Sequence, residues 1–118
     1  MRDLEYIGGH PAAPHALAGI DVLFDDEGVT FLRSQEILGS IPWRNVRAIS
    51  ADAEVTSEHV SLPGVLLFGV LAFLFKRHDR TALLRVEDPS GAWVFAVPGI
   101  KLAELRAGVA DIRRRHGL

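Results

Sequence analysis

The sequence predicts a mainly β domain, an antiparallel barrel or sandwich of about seven strands closed by one C-terminal helix. Three observations carry this. From Gly19 onward, short runs of alternating apolar and polar residues recur, as in antiparallel strands that turn one face to a core. Clusters of Asp, Glu, Ser, Pro and Gly separate those runs, and these are the residues that tight turns use. Near the C-terminus the period changes. Leu102, Leu105, Val109 and Ile112 follow i, i+3, i+7, i+10 spacing, which aligns them on one stripe of an α-helix.

Taken in order, residues 1–18 read as an irregular lead-in, because Gly8, Gly9, Pro11 and Pro14 discourage a regular element. Ile20, Val22 and Phe24 then alternate with Asp21 and Asp25, and Asp25-Asp26-Glu27-Gly28 supplies a turn. Val29 and Phe31 flank Thr30, and Arg33-Ser34-Gln35 turns again. Ile37, Gly39 and Ile41 make a third alternating set, which Pro42 ends. Trp43-Arg44-Asn45-Val46 leads into a strand over residues 47–51, and a further strand is expected over 54–60.

Residues 60–75 contain no charge and end abruptly in Lys76-Arg77-His78-Asp79-Arg80. A straight helix of that length rises about 24 Å, short of the ~30 Å of a bilayer core, and a single strand would run about 53 Å, far beyond ordinary strands. The run is therefore expected to break at Pro63-Gly64 and Gly69, as a short helix or turn over 63–70 capped by Ser61 and a strand over 72–77. Leu84 and Val86 mark a strand over 81–87, Asp88-Pro89-Ser90-Gly91 a strong turn, and Trp93, Phe95 and Val97 the last strand. Pro98-Gly99 stops the sheet, and the helix covers 101–115 with Arg113, Arg114 and Arg115 in its last turn, at the negative end of the helix dipole.

The 118 residues, 48% hydrophobic and 24% charged, fit a single folded domain over 1–118 that buries roughly two-thirds of its unfolded surface. The chain has no cysteine, which removes disulfides and thiolate chemistry. Its first residues carry acids and no apolar core of signal-peptide length, so a cytoplasmic location is expected, with attachment to the inner membrane face as the alternative. The net charge of −2 is unevenly spread: four arginines face ten acids in residues 1–75, and nine Lys/Arg face five acids in 76–118. That balance is too acidic overall for a nucleic-acid binder.

Gly28-Val29-Thr30-Phe31 followed by Ile41-Pro42-Trp43-Arg44-Asn45-Val46 resembles the hairpin text of bacterial pleckstrin-homology-like (PH-like) and GRAM-like domains, and the later Trp93 to Val97 and Leu102 to Ile112 stretches are similar to their last strand and helix. The resemblance implies a bent barrel plugged at one end by the C-terminal helix. It also implies ligand binding without chemistry, to phosphoinositides, lipids or peptides. Lipid-binding members carry lysines and arginines around the loop joining their first two strands, and the loop expected there, Asp25-Asp26-Glu27-Gly28, is acidic, which argues against that mode.

Motifs for chemistry are sparse. His10, His15 and His59 share no standard metal-ligand spacing, so no metal site is expected and the lead-in histidines read as a solvated loop. No serine sits in a nucleophile elbow, Gly8-Gly9 is too little to cradle a phosphate, and no catalytic residue, cofactor or particular small-molecule ligand is indicated. Trp43 and Trp93, at alternating apolar positions, are expected in the core. The feature left over is the charge-free run. The expected function is therefore a binding module that uses Leu67, Phe68, Leu71 and Phe73 for protein–protein contact or homodimerisation. The alternative is a peripheral membrane module in which the same residues dip into lipid while Lys76, Arg77 and Arg80 hold anionic headgroups.

Overall fold

The computed structural model describes residues 1–8, 10–13, 15–56 and 80–118, with the backbone alone for 52–56. Among the described residues seven strands, β1 (Leu4–Gly8), β2 (Leu17–Phe24), β3 (Gly28–Arg33), β4 (Glu36–Pro42), β5 (Ala48–Thr56), β6 (Arg80–Asp88) and β7 (Gly91–Pro98), precede one α-helix, α1 (Leu102–Arg115). They form one antiparallel sheet in the order β4-β3-β2-β1-β7-β6-β5. Two meanders are thus joined through β1 and β7. One core cluster takes residues from all seven strands and the helix, so the sheet bends round a single interior, as in a barrel or sandwich.

The alternation read from the sequence places Ile20, Val22, Val29, Phe31, Ile41, Leu84, Val86, Trp93, Phe95 and Val97 in that interior. Phe31 and Phe95 meet at 5.2 Å between ring centroids, and Tyr6 lies 5.4 Å from Phe95. Turn chemistry matches as well. Asp25 Oδ1 accepts the backbone N–H groups of Glu27 and Gly28, and Asp88 Oδ1 accepts those of Ser90 and Gly91. Ser34 and Gln35 both take positive φ, the hairpin geometry that matches strand twist.

Several expectations need correction. The lead-in is not irregular throughout: Leu4–Gly8 is the central strand β1, held by β2 on one side and β7 on the other, and β2 already begins at Leu17. Its partners are distant in sequence, and the Gly-Pro cluster that follows masks its short alternation. The strands expected over 47–51 and 54–60 are one strand, β5, whose register against β6 shifts between Ala51 and Glu54; such an irregularity takes up extra residues without ending the pairing. Ile37 does not share a face with Ile41. The β3–β4 register shifts so that Phe31 faces Gly39 and Leu32 faces Ile37, leaving Leu38 packed on the core and Ile37 65% exposed. The helix or turn expected over 63–70 and the strand over 72–77 lie outside the described residues.

Helix α1 packs on β5 and β6. Leu105 and Val109 are buried, while Leu102 and Ile112 flank them partly buried. Its end is fixed by stacking: the His116 ring lies on Trp43, centroids 3.9 Å apart and planes 15° from parallel, and Trp43 Nε1 donates to the Asp25 carbonyl at 2.6 Å. Trp43 is therefore half-buried beneath the helix terminus, whereas Trp93 lies in the core. Among the described residues no helix is long and apolar enough to cross a membrane.

Candidate functional site

Of the residues expected to make contact with a partner, Leu67, Phe68, Leu71, Phe73, Lys76 and Arg77 lie outside the described residues. Arg80 is described. It is the first residue of β6, half-buried, paired with Thr56 of β5, and its carbonyl accepts the Gly99 N–H at 3.0 Å. The Thr56–Arg80 pair is the last described pair of the β5–β6 ladder.

The described residues converge instead on His10. Far from lying in a solvated loop, it is 3% exposed. Its ring stacks on Trp93 at 4.4 Å, and Nε2 lies 3.0 Å from both Asp88 carboxylate oxygens. Nδ1 accepts the Ala12 N–H at 3.0 Å. An accepting Nδ1 must be bare, so the ring proton sits on Nε2 and is donated to Asp88. Below the ring, the Tyr6 hydroxyl accepts the His10 N–H and donates to the Ala13 carbonyl. Residues of the N-terminal segment are thereby tied to the β6–β7 turn, 78 positions away in sequence.

The electrostatics follow from this packing. Burial acts to raise the Asp88 carboxyl, but the hydrogen bonds from His10, Ser90 and Gly91 outweigh it and hold the group below its ordinary value. Burial pushes the Tyr6 hydroxyl up, with the His10 N–H opposing it. Both ring nitrogens of His10 are engaged in hydrogen bonds. The pair works as a latch. Among the described residues no group of three His, Cys, Asp or Glu side chains could hold a metal ion.

Two shallow grooves adjoin the end of β4. One, of about 240 Å³, runs between Ser40, Ile41, Pro42 and Asn45 on one side and Asp88, Pro89 and Ser90 on the other. The second, about 220 Å³, lies over Glu27 to Thr30 and shares Ser40, Ile41 and Pro42. Their polar linings contain Glu27 and Asp88 and no lysine or arginine. The His10 latch was invisible in sequence because its two halves meet only in the fold; the sole signal was Asp88 at the head of a Pro-Ser-Gly turn. No protein-family model, curated protein or solved structure matches this chain.

Proposed function

We propose that this chain is a non-enzymatic binding module acting through protein–protein contact, including contact with a second copy, and that residues 60–75 provide its contact surface. The observation that carries this reading is the Thr56–Arg80 pair. It joins the last described residue of β5 to the first of β6, so in sequence the charge-free run falls between two paired strands. Sixteen residues without a charge need cover from water, and a copy or partner that provides it gains about 25 cal/mol for each Å² of apolar surface buried.

A seven-strand antiparallel sheet around one core, followed by one helix, is the layout the PH-like resemblance implies, and it supports that reading of the family. The loop joining the first two strands spans residues 9–16, and the acidic turn joins the second to the third. Residues 9–16 contain His10 and His15 but no lysine or arginine. Phosphoinositide binding in the usual mode thus lacks its basic residues on the loop that joins the first two strands.

Sedimentation at micromolar concentration is the test. Self-association is expected for the natural chain and its loss for Phe68→Asp, with the thermal unfolding of the domain unchanged. A monomer at every concentration overturns the homodimer. Flotation with anionic vesicles that weakens with salt and falls on Arg77→Glu replaces the protein-contact reading with the membrane one, since each basic residue near such a surface contributes about 1 kcal/mol.

A further inference from the structure

Strand β4 stands at one end of the sheet and pairs with β3 alone among the described strands. One bond sets the phase of that ladder. Trp43 N–H donates to the Glu27 carbonyl at 3.3 Å, and hydrogen-bonded pairs alternate with non-bonded ones along an antiparallel ladder. The Val29–Ile41 pair is therefore bonded, and at the next pair, Thr30–Ser40, the N–H and C=O of Ser40 point away from β3. Pro42, two positions on, turns its carbonyl the same way and has no N–H to leave unmet. Ser40 is exposed, as are Glu36 and Ile37 on the same strand, Ile37 at 65%. The outer edge of β4 is thus open to water, and no described residue takes up the backbone groups of Ser40.

An open edge is a template for one more strand, and its surroundings select the kind. The groove between the end of β4 and the Asp88-Pro89-Ser90 turn has this edge as one wall and the turn as the other. A single extended chain fits between two walls. The β4 of a second copy, already flanked by its own β3, would bring the rest of its sheet against the turn. Charge narrows the occupant further. No lysine or arginine meets the Asp88 carboxylate among the described residues; its donors are the His10 ring and the Ser90 and Gly91 N–H groups. Those bonds hold it below its ordinary value, so it is ionised at neutral pH. Glu27, exposed, lines the second groove, which meets the first at Ser40, Ile41 and Pro42. A segment crossing this edge therefore passes between two carboxylates, with no cation of this chain in either lining. An acidic segment would meet like charge at both.

We propose that the free edge of β4 is a docking site for an extended, basic peptide segment of another protein, whose backbone pairs with Ser40 and whose lysine or arginine side chains face Asp88 and Glu27. Main-chain bonds to the edge supply affinity, and the two carboxylates supply the preference for cations. The inference goes beyond the binding-module reading, uses none of residues 57–79 and stands without it.

The probe is an end-blocked hexapeptide of alternating lysine and valine, labelled for fluorescence anisotropy and titrated with the full chain. Saturable binding is expected. Binding at least about tenfold weaker is expected when glutamate replaces each lysine, since like charges then meet. The same loss is expected when every residue of the peptide is N-methylated, which keeps the charge and removes the backbone donors. Hydrogen exchange locates the contact. The Ser40 N–H is expected to exchange at least about tenfold more slowly in the complex than in the free chain. No saturable binding, equal binding of the N-methylated peptide, or an unchanged Ser40 exchange rate overturns the proposal. Ser40 exchange that slows with rising protein concentration in the absence of peptide assigns the edge to a second copy and also overturns it. Phe68→Asp, expected to abolish self-association, leaves peptide binding unchanged, so the two readings fail separately.

Discussion

A methyl group placed on Gly28 runs into the carbonyl oxygen of Ile41 and comes within 2.8 Å of the Pro42 Cα on the neighbouring strand. Both obstacles are backbone, so no side chain can swing aside. Gly28 also pairs with Pro42 in the ladder and gives its N–H to Asp25 Oδ1. Close approach here sets how β3 and β4 enter the hairpin. Gly28→Ala is expected to cost roughly 1–3 kcal/mol of stability, read from the urea midpoint at unchanged slope. A change within experimental error would mean that the two strands do not approach as described.

Gly108 presents the opposite case. Among the described residues nothing lies within 4 Å of the position a Cβ would take, so no close packing of helix on the described sheet requires the glycine. It sits in the interior of α1 at ordinary helical cost. Gly108→Ala is expected to stabilise the domain by about 0.5–1 kcal/mol, seen as a raised thermal midpoint. A destabilised variant would reveal a neighbour of α1 that the described residues do not supply.

The latch gives a pH dependence of definite sign. Asp88 ionises below its ordinary value in the folded chain, because the hydrogen bonds it accepts from His10, Ser90 and Gly91 prevail over burial. Its contribution is fully present above the unfolded value, near pH ~4, and is lost as pH falls through the lower folded value. Asp88→Asn is expected to lose about 1–2 kcal/mol at neutral pH. The gap to the natural chain should close as unfolding is measured below about pH 4. A gap that stays constant down to acid pH would show that ionisation of Asp88 contributes nothing.

At the alkaline end the sign reverses. Burial raises the Tyr6 hydroxyl, so the unfolded chain ionises first and stability falls once pH passes about 10. Tyr6→Phe removes that part of the fall and leaves the Ala13 carbonyl and the His10 N–H without their partner. The expected result is a loss of about 1–3 kcal/mol at neutral pH together with a flatter alkaline limb in unfolding titrations. An unchanged limb would assign the alkaline loss to other groups.

Local patterns were legible and distant pairings were not. Alternation at Ile20, Val22, Val29 and Phe31 and at Leu84, Val86, Trp93 and Phe95 placed those side chains correctly, because each strand pairs with its sequence neighbour across a short turn. Leu4–Gly8 is not legible in sequence because β1 joins the two meanders and its partner β7 lies at the far end of the chain. Ile37 was put on the wrong face by one extra residue in β4, and a register shift of that kind leaves no mark on composition. Spacing marks the stripe on α1 but not its depth: Leu105 and Val109 are buried, Leu102 and Ile112 only partly. His10 could not be assigned from its surroundings in sequence, since what buries it is Trp93 and what binds it is Asp88.

The two tryptophans each rest on an imidazole, and the two imidazoles belong to opposite ends of the chain. Trp93 faces His10 and Trp43 faces His116. Each indole therefore touches a ring supplied by one terminus, and its emission, sensitive to its surroundings, is expected to change when that terminus is unseated. With one tryptophan replaced by phenylalanine, the remaining fluorescence follows a single end of the molecule. Chain ends are where native proteins come undone first, so the pair of single-tryptophan variants is a built-in stopwatch for the order in which the N-terminal tie and the helix tip let go.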